Sequence, residues 1–420
     1  MSRWLFLLRQ VSQKLWVRTA LFSLVALVTV AVAILLGPYM PREFADRFGG
    51  DTVEHMLNIL SSSMLVITTF SLGTMVNAHN SAASSATPRA APLLVQDDYA
   101  QNALSIFIGV FVFSMISLIA LDAGIYASGS RAVLFITTAG VVVLVVITLI
   151  RWVDELSELG QMQDTLELIE SSTIEAIDSH RTSPACHGRQ FTELPDGIDV
   201  YADEIGYVQT MDFAAMDDML TDTEASLYLL CQPGSFSHRN RALCRIVGLS
   251  RDKSDTVVEA IKTAFLIGPR RTTLQDPRYG MIILSEVAAR ALSPGVNDPG
   301  TAIDVIVVET RVLDHWHNNI SRADDELAAK YPWLHANPLD MGDLMSSGFS
   351  PVIRYGSEHA PVVVRLFKAL EALVELDKNA YAAPATRLAS QAMARASDLI
   401  SDKEDLDFVR HNYETCFRKT

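Results

Sequence analysis

Hydrophobic positions are distributed along this chain in two different ways. Up to about residue 153 they run together. Stretches 19–36 (TALFSLVALVTVAVAILL), 56–76 (MLNILSSSMLVITTFSLGTMV), 103–121 (ALSIFIGVFVFSMISLIAL) and 132–150 (AVLFITTAGVVVLVVITLI) contain no charged residue. A helix needs about 20 apolar residues to cross the hydrocarbon core. Backbone in lipid must also satisfy its own hydrogen bonds, so runs of this length predict helices and not strands. The pattern predicts four transmembrane helices.

Beyond residue 153 the apolar positions become periodic. Leu156, Leu159, Met162, Leu166, Ile169 and Ile177 keep a helical rhythm over 154–180, which predicts a stalk helix continuing from the fourth span. Its heptad-like seam suits packing against neighbouring copies or against the same chain. Pro, Gly and polar residues break the rhythm over 181–199. The next segment predicts a strand at 199–210, a short helix at 212–220 capped by Asp212, and a hairpin of 226–231 with 242–247 about the turn PGSF at 233–236. A helix follows at 253–266. Another is predicted at 280–292, ended by the turn SPGVNDPG, after which Asp298-Pro299 opens a helix through His315. Residues 331–358 read as loop-rich, and three helices close the chain at 360–379, 384–401 and 403–418. The expected fold class is a membrane α-helical protein with four transmembrane helices plus a cytoplasmic, mostly-α domain carrying a small α+β module. Its expected parts are a transmembrane domain at 1–153, a stalk helix at 154–180, the α+β module at 199–250 and a helical domain at 251–420.

Charge sharpens this division. Residues 1–153 carry a balance of +2 and the remainder −17, within a total of −15. An acidic surface without a basic run argues against nucleic acid as a partner. Arg3, Arg9, Lys14 and Arg18 precede the first span with no acidic residue among them, which places the N-terminus inside. Four crossings then return the chain to the cytoplasm, so both termini are expected there. The loops contribute less, with Arg42 and Arg47 in the expected outer loop and Arg89 in the inner one. The first run exceeds the apolar core of a signal peptide and is followed by three more spans, so a retained anchor is expected. The second span holds Ser61, Ser62, Ser63, Thr68, Thr69, Ser71 and Thr74, hydroxyls that scatter around the helical wheel. That scatter suits helix packing better than a pore lining. No span has an ionisable residue at its centre, which counts against an ion-coupled carrier.

The densest chemistry lies in RRTTLQDPRYGMIILSEVAARALSPGVNDPGTAIDVI, residues 270–306. Arg270, Arg271, Gln275 and Asp276 precede one helix, while Asn297, Asp298 and Thr301 surround the start of the next. Two readings apply. These groups form a polar site for an anion, a nucleotide-like ligand or a small cation, or they cap helix ends and pin the turn. Pro88, Arg89, Asp97 and Asp98 are the candidate residues of the inner loop. Cys186, Cys231, Cys244 and Cys416 have no metal-finger spacing. Cys231 and Cys244 are expected to be buried thiols in a reducing compartment. His315 and His317 face different sides of a helix, and His180, Cys186 and His187 sit in a Pro/Gly linker. The chain lacks a P-loop, HExxH, GxSxG or dinucleotide motif, so no enzyme and no cofactor is expected.

The loop TPRAAPLLVQDDYAQNALSIFIGVF (87–111), GYVQTMD (206–212), PGSFSHRNRAL (233–243) and the RRTTLQDPRYG…ALSPGVNDPGTA block together resemble a bacterial family of predicted membrane proteins, domain of unknown function 2254. The last block is the most specific. The resemblance implies a four-span protein of the bacterial inner (plasma) membrane with a cytoplasmic C-terminal domain, and it assigns no catalytic residue. One departure is Ala90-Ala91-Pro92, where bulkier apolar residues are expected. The function expected first is a homo-oligomeric channel or pore with a cytoplasmic regulatory domain. The alternative is a membrane-tethered sensor or scaffold binding a small ligand or partner through the helix–turn–helix region.

Overall fold

The computed structural model describes residues 15–36, 50–90, 92–93, 98–126, 128–158, 161–181, 188–220, 223–249, 254–320 and 330–417. The N-terminal Arg3, Arg9 and Lys14, the loop arginines Arg42 and Arg47, Asp97, Cys186 and His187 lie outside these residues. The chain divides into two compact units.

The first unit holds α1 (Leu15–Leu36), α2 (Gly50–Ser85), α3 (Asp98–Asp122) and α4 (Ser128–Glu158). All four are long and apolar enough to cross a membrane. Helix α3 is the packed one, with 56% of its apolar window buried against 17–22% for the others. Ala26, Val30 and Ala33 form the buried stripe of α1, while Leu21, Leu24, Val25 and Leu35 are exposed. An apolar surface left open to this extent suits lipid as its solvent. Three of the seven hydroxyls noted in α2 bond back to their own helix, while the Thr68 and Ser71 hydroxyls are buried without a hydrogen-bond partner among the described residues. Ser62 donates to the Asn58 carbonyl (2.9 Å), Thr69 to Leu65 (2.9 Å) and Thr74 to Phe70 (3.0 Å).

The second unit holds the segment Ser85–Ala90 and everything from Thr165 onward. The stalk helix expected over 154–180 is divided: Leu156 lies in α4, which ends at Glu158, and α5 (Met162–Arg181) carries Met162, Leu166, Ile169 and Ile177 of the seam. Leu166, Ile169, Ala176 and Ile177 are buried. Glu170 pairs with Arg311 and Asp178 with His315 (2.8 Å). A Cβ on Gly280 would lie 1.9 Å from Thr173 Oγ1, so α5 can approach this closely only because that position is glycine.

Two small sheets follow. The single strand expected at 199–210 is two strands, β1 (Ile198–Tyr201) and β2 (Gly206–Met211), which belong to different sheets. The polar Asp203-Glu204 step allows the crossing, and Gly206 lets β2 pass close to the Gly268 carbonyl. The first sheet has the order β1–β5–β3–β7, with β3 (Ser226–Leu229) antiparallel to β5 (Ala242–Val247) and parallel to β7 (Leu334–His335). The second runs β4–β2–β6, where β4 is Phe236–Ser237 and β6 is Phe265–Gly268. The hairpin of β3 and β5 therefore exists, but its connection lends β4 to the other sheet. Helix α6 (Phe213–Leu220) starts from Asp212, whose carboxylate accepts from the Ala215 amide (3.2 Å). Helix α7 (Ser254–Thr263) stops before the expected 266 because Phe265 enters β6. Cys231 and Cys244 are buried thiols with no disulfide between them.

Six helices complete the unit: α8 (Pro277–Ala291), α9 (Pro299–Ile320), α10 (Met341–Gly356), α11 (Ala360–Leu376), α12 (Lys378–Leu399) and α13 (Lys403–Phe417). Helix α10 corrects the expectation of loop over 331–358. Asp340 caps it by accepting from the Asp343 amide (2.7 Å), and Leu344, Met345, Phe349, Val352 and Ile353 bury one face despite Pro351 inside. That burial outweighs the helix-breaking composition. The mostly helical expectation with a small sheet region holds.

Candidate functional site

Helix α8 organises the region that the sequence marks as chemically dense. Asp276 is its N-cap and is 1% exposed. Its carboxylate accepts from the Tyr279 amide (3.2 Å) and from Arg271 Nε (2.8 Å), with Arg271 Nη2 at 2.6 Å. Burial pushes the Asp276 carboxyl up, against the opposing pull of Arg271. Gly234, at φ +83°, covers the pair so closely that a Cβ there would fall 1.9 Å from Asp276 Oδ2. Gln275 accepts from Thr210 Oγ1 (2.8 Å) and the Met211 amide (3.2 Å). The Arg270 carbonyl accepts from Gln209 (2.7 Å), while its side chain is exposed. These bonds knit the segment before α8 to β2 and to the turn at Gly234.

At the other end of α8 the chain turns through Asn297, at φ 51°. Asp298 then caps α9, accepting from the Thr301 amide (3.1 Å) and from Thr301 Oγ1 (2.7 Å). The Thr301 hydroxyl, followed by its amide, holds the Asp298 carboxyl below the usual carboxylate range. Fifteen residues of helix separate this cap from Asp276, about 22 Å at 1.5 Å per residue. The structure brings Arg271, Gln275 and Asp276 together and Asn297, Asp298 and Thr301 together. It does not bring the two groups to one ligand.

What it does bring to α8 is the loop between α2 and α3. Thr87 donates to Glu286 Oε2 (3.1 Å), and Arg89 pairs with Glu286 Oε1. Pro88 occupies the second position of a turn closed by the Ala90 amide on the Thr87 carbonyl (3.0 Å). Ala86 and Ala90 are fully buried, so the small residue at 90 is what the docked turn accommodates. Asp98 starts α3 beyond the docked turn. Tyr279 and Glu286 are seven residues apart on one face of α8, and Arg271 stacks over the Tyr279 ring at 5.2 Å. The charges of Arg89 and Arg271 pull the Tyr279 phenol down against burial, which raises it overall. A polar line thus runs along α8 from Asp276 and Arg271 through Tyr279 to Arg89 and Glu286.

Sequence reasoning passed over Glu286 and Tyr279, although Glu286 is the sole acidic residue in α8. It also passed over Glu309, which is fully buried in α9 with no hydrogen-bond partner for either carboxylate oxygen among the described residues. Burial pushes the Glu309 carboxyl well up. The signal was available: Val305, Ile306, Val312 and Leu313, four and three residues to either side, are the core face of the same helix. Arg354 of α10 and Arg387, Gln391 and Arg395 of α12 line an exposed groove; the spacing of four in α12 made that stripe legible.

The chain matches a family model described as a predicted membrane protein (DUF2254) over residues 12–372. An uncharacterised protein of Mycobacterium bovis is 24% identical over 295 residues, covering 66% of this chain and 54% of its own length. One from Mycobacterium tuberculosis is 25% identical over 298 residues with the same coverage. The chain therefore spans about half the length of these curated relatives. No solved structure matches it.

Proposed function

We propose that this chain, which belongs to the DUF2254 family of predicted membrane proteins, works as a membrane-tethered sensor whose C-terminal domain sets the arrangement of its membrane helices. The observation that carries this reading is the clasp of Thr87 and Arg89 on Glu286. The clasped turn continues directly into α2 on one side and leads to α3 on the other, so a shift of α8 pulls on both. Two crossings separate this loop from the chain after α4. Both then emerge on the same side of the bilayer, as the clasp requires. The basic N-terminus assigns that side to the cytoplasm.

The clasp has the energetics of a switch and not of a rivet. Arg89 is 53% exposed in its side chain, and an ion pair of that kind contributes about 1 kcal/mol or less. Burial of Ala86, Thr87 and Ala90 supplies the rest of the docking. A pore formed by several copies draws less support. The exposed hydroxyls of α2 bond to their own backbone and share its surface with Leu65, Val66 and Phe70, the pattern of a lipid-facing helix.

Spin labels at the exposed positions Val76 of α2 and Met115 of α3, in a chain whose native cysteines are replaced, test the reading. In liposomes the distance distribution between them should shift or broaden when Glu286→Gln removes the clasp. Identical distributions in the two proteins would contradict it.

A further inference from the structure

Beside the N-terminal end of α8 lies a cleft of about 350 Å³ that the clasp does not use. Its polar lining comes from two distant blocks of sequence: Gln232, Ser235 and Arg241 from the connection between β3 and β5, and Arg278 from the second turn position of α8, with Asn337 closing one side. Phe191 supplies an apolar wall. The volume lies at the small end of the range for ligand pockets, about 300–1,000 Å³.

Charge in the cleft is unbalanced. The nearest carboxylate to Arg278 in sequence, Asp276, feels the Arg278 charge but is bonded by Arg271 and by the Tyr279 amide. Arg278 Nε is buried and has no hydrogen-bond partner. Among the described residues the Arg241 side chain donates only to the Phe236 carbonyl, at 3.5 Å. Neither arginine forms an ion pair among the described residues. Two guanidinium groups that line one cleft with no ion pair of their own attract a counter-anion. The amides beside them are held in place. Gln232 is fixed by donating to the Asn337 and Pro338 carbonyls (3.1 and 3.2 Å), and the Asn337 side chain accepts from the Phe191 amide (3.4 Å). Two forked cations in a pre-arranged polar cleft match one dianionic group, and guanidinium forks suit phosphate geometry. At neutral pH a phosphate monoester carries about −1.5 to −2, which the two arginines neutralise. A singly charged carboxylate would leave one of them uncompensated.

We propose that this cleft binds a phosphate group of a small molecule, held by Arg241 and Arg278 and oriented by the Asn337 side-chain NH2. Binding stands on the cleft alone. Its role as the sensed signal rests on the reading under Proposed function, since Arg278 sits on the same helix as Glu286.

Calorimetric titration of the full chain in detergent with inorganic phosphate, and separately with dihexanoyl phosphatidate, tests the site. Saturable binding is expected in the wild type and at least about tenfold weaker binding in Arg278→Ala. Arg241→Gln, at an exposed position whose loss leaves the core untouched, should weaken binding in the same direction. Binding of phosphatidate alone, with the same arginine dependence, identifies a lipid headgroup as the source of the phosphate. No saturable binding of either probe, or unchanged affinity in a folded Arg241→Gln protein, overturns the site. The titration is repeated on Glu286→Gln: equal affinity there and in the wild type would overturn the coupling while the site stands, whereas a shifted affinity is what reciprocal linkage requires.

Discussion

Two carboxylates in the C-terminal domain are set by their surroundings in opposite directions. Glu309 has no hydrogen-bond partner among the described residues and is raised by burial, whereas Asp298 is lowered by Thr301. The signs of their pH dependence follow. A carboxylate raised on folding binds more protons in the native state, so its stability is present below the unfolded value near 4.3 and is lost as pH rises. A lowered one contributes above its unfolded value near 3.9 and loses that contribution in acid. Glu309→Gln should therefore raise the melting temperature at neutral pH and flatten its decline above about pH 4.3. Thermal unfolding of the two proteins across pH 4 to 8 checks this, and parallel curves would contradict a buried, unpartnered Glu309. The gap that accommodates Glu309 is made by Gly348, where a Cβ would lie 2.9 Å from its carboxyl.

At the scale of elements, the two ends of α8 should respond unequally to loss of a side chain. Arg271→Ala strands the buried Asp276 carboxylate, a change of about 3–5 kcal/mol. Asp298→Ala removes an exposed cap worth about 1 kcal/mol. Denaturant unfolding of the two variants should reproduce that order, and equal losses would refute the distinction between knot and cap. This contrast also shows how far the sequence could be read. The caps at Asp298 and Asp212 and the start of α9 were legible because a cap is a local, short-range pattern, whereas α8 begins at Pro277, before the expected 280. Helix α10 was not, since Pro351, Gly348 and Gly342 read as breakers until Phe349 and Val352 are placed in a core. The strand at 199–210 was read as one because alternation carries no information about which sheet each half joins. Of the candidate site, the residue types were visible, but their separation into two groups was not. The helix of 15 residues between them carries them apart. Glu286 was overlooked because its partners Thr87 and Arg89 lie almost 200 positions away.

At the scale of the whole molecule, a covalent link and a non-covalent one meet in a single loop. The loop Thr87–Ala90 belongs by chain to α2 and α3 and by packing to the domain that begins at Thr165. The acidic balance of that domain, −17 beyond residue 153, makes its few uncompensated arginines conspicuous, and the two in the cleft lie on or beside the helix that grips the loop. A ligand that favoured one position of α8 would shift the loop by its differential affinity and no more. The clasp must therefore be weak enough to be redistributed, which the exposure of Arg89 provides. Charge reversal tests this centre of the account most directly, with amide hydrogen exchange of the full chain in detergent as the readout. Arg89→Glu and Glu286→Arg should each accelerate exchange at the Ala90 amide, and the double reversal should restore protection. Unchanged protection in both single variants, or no recovery in the double, would show that the loop is not held by Glu286.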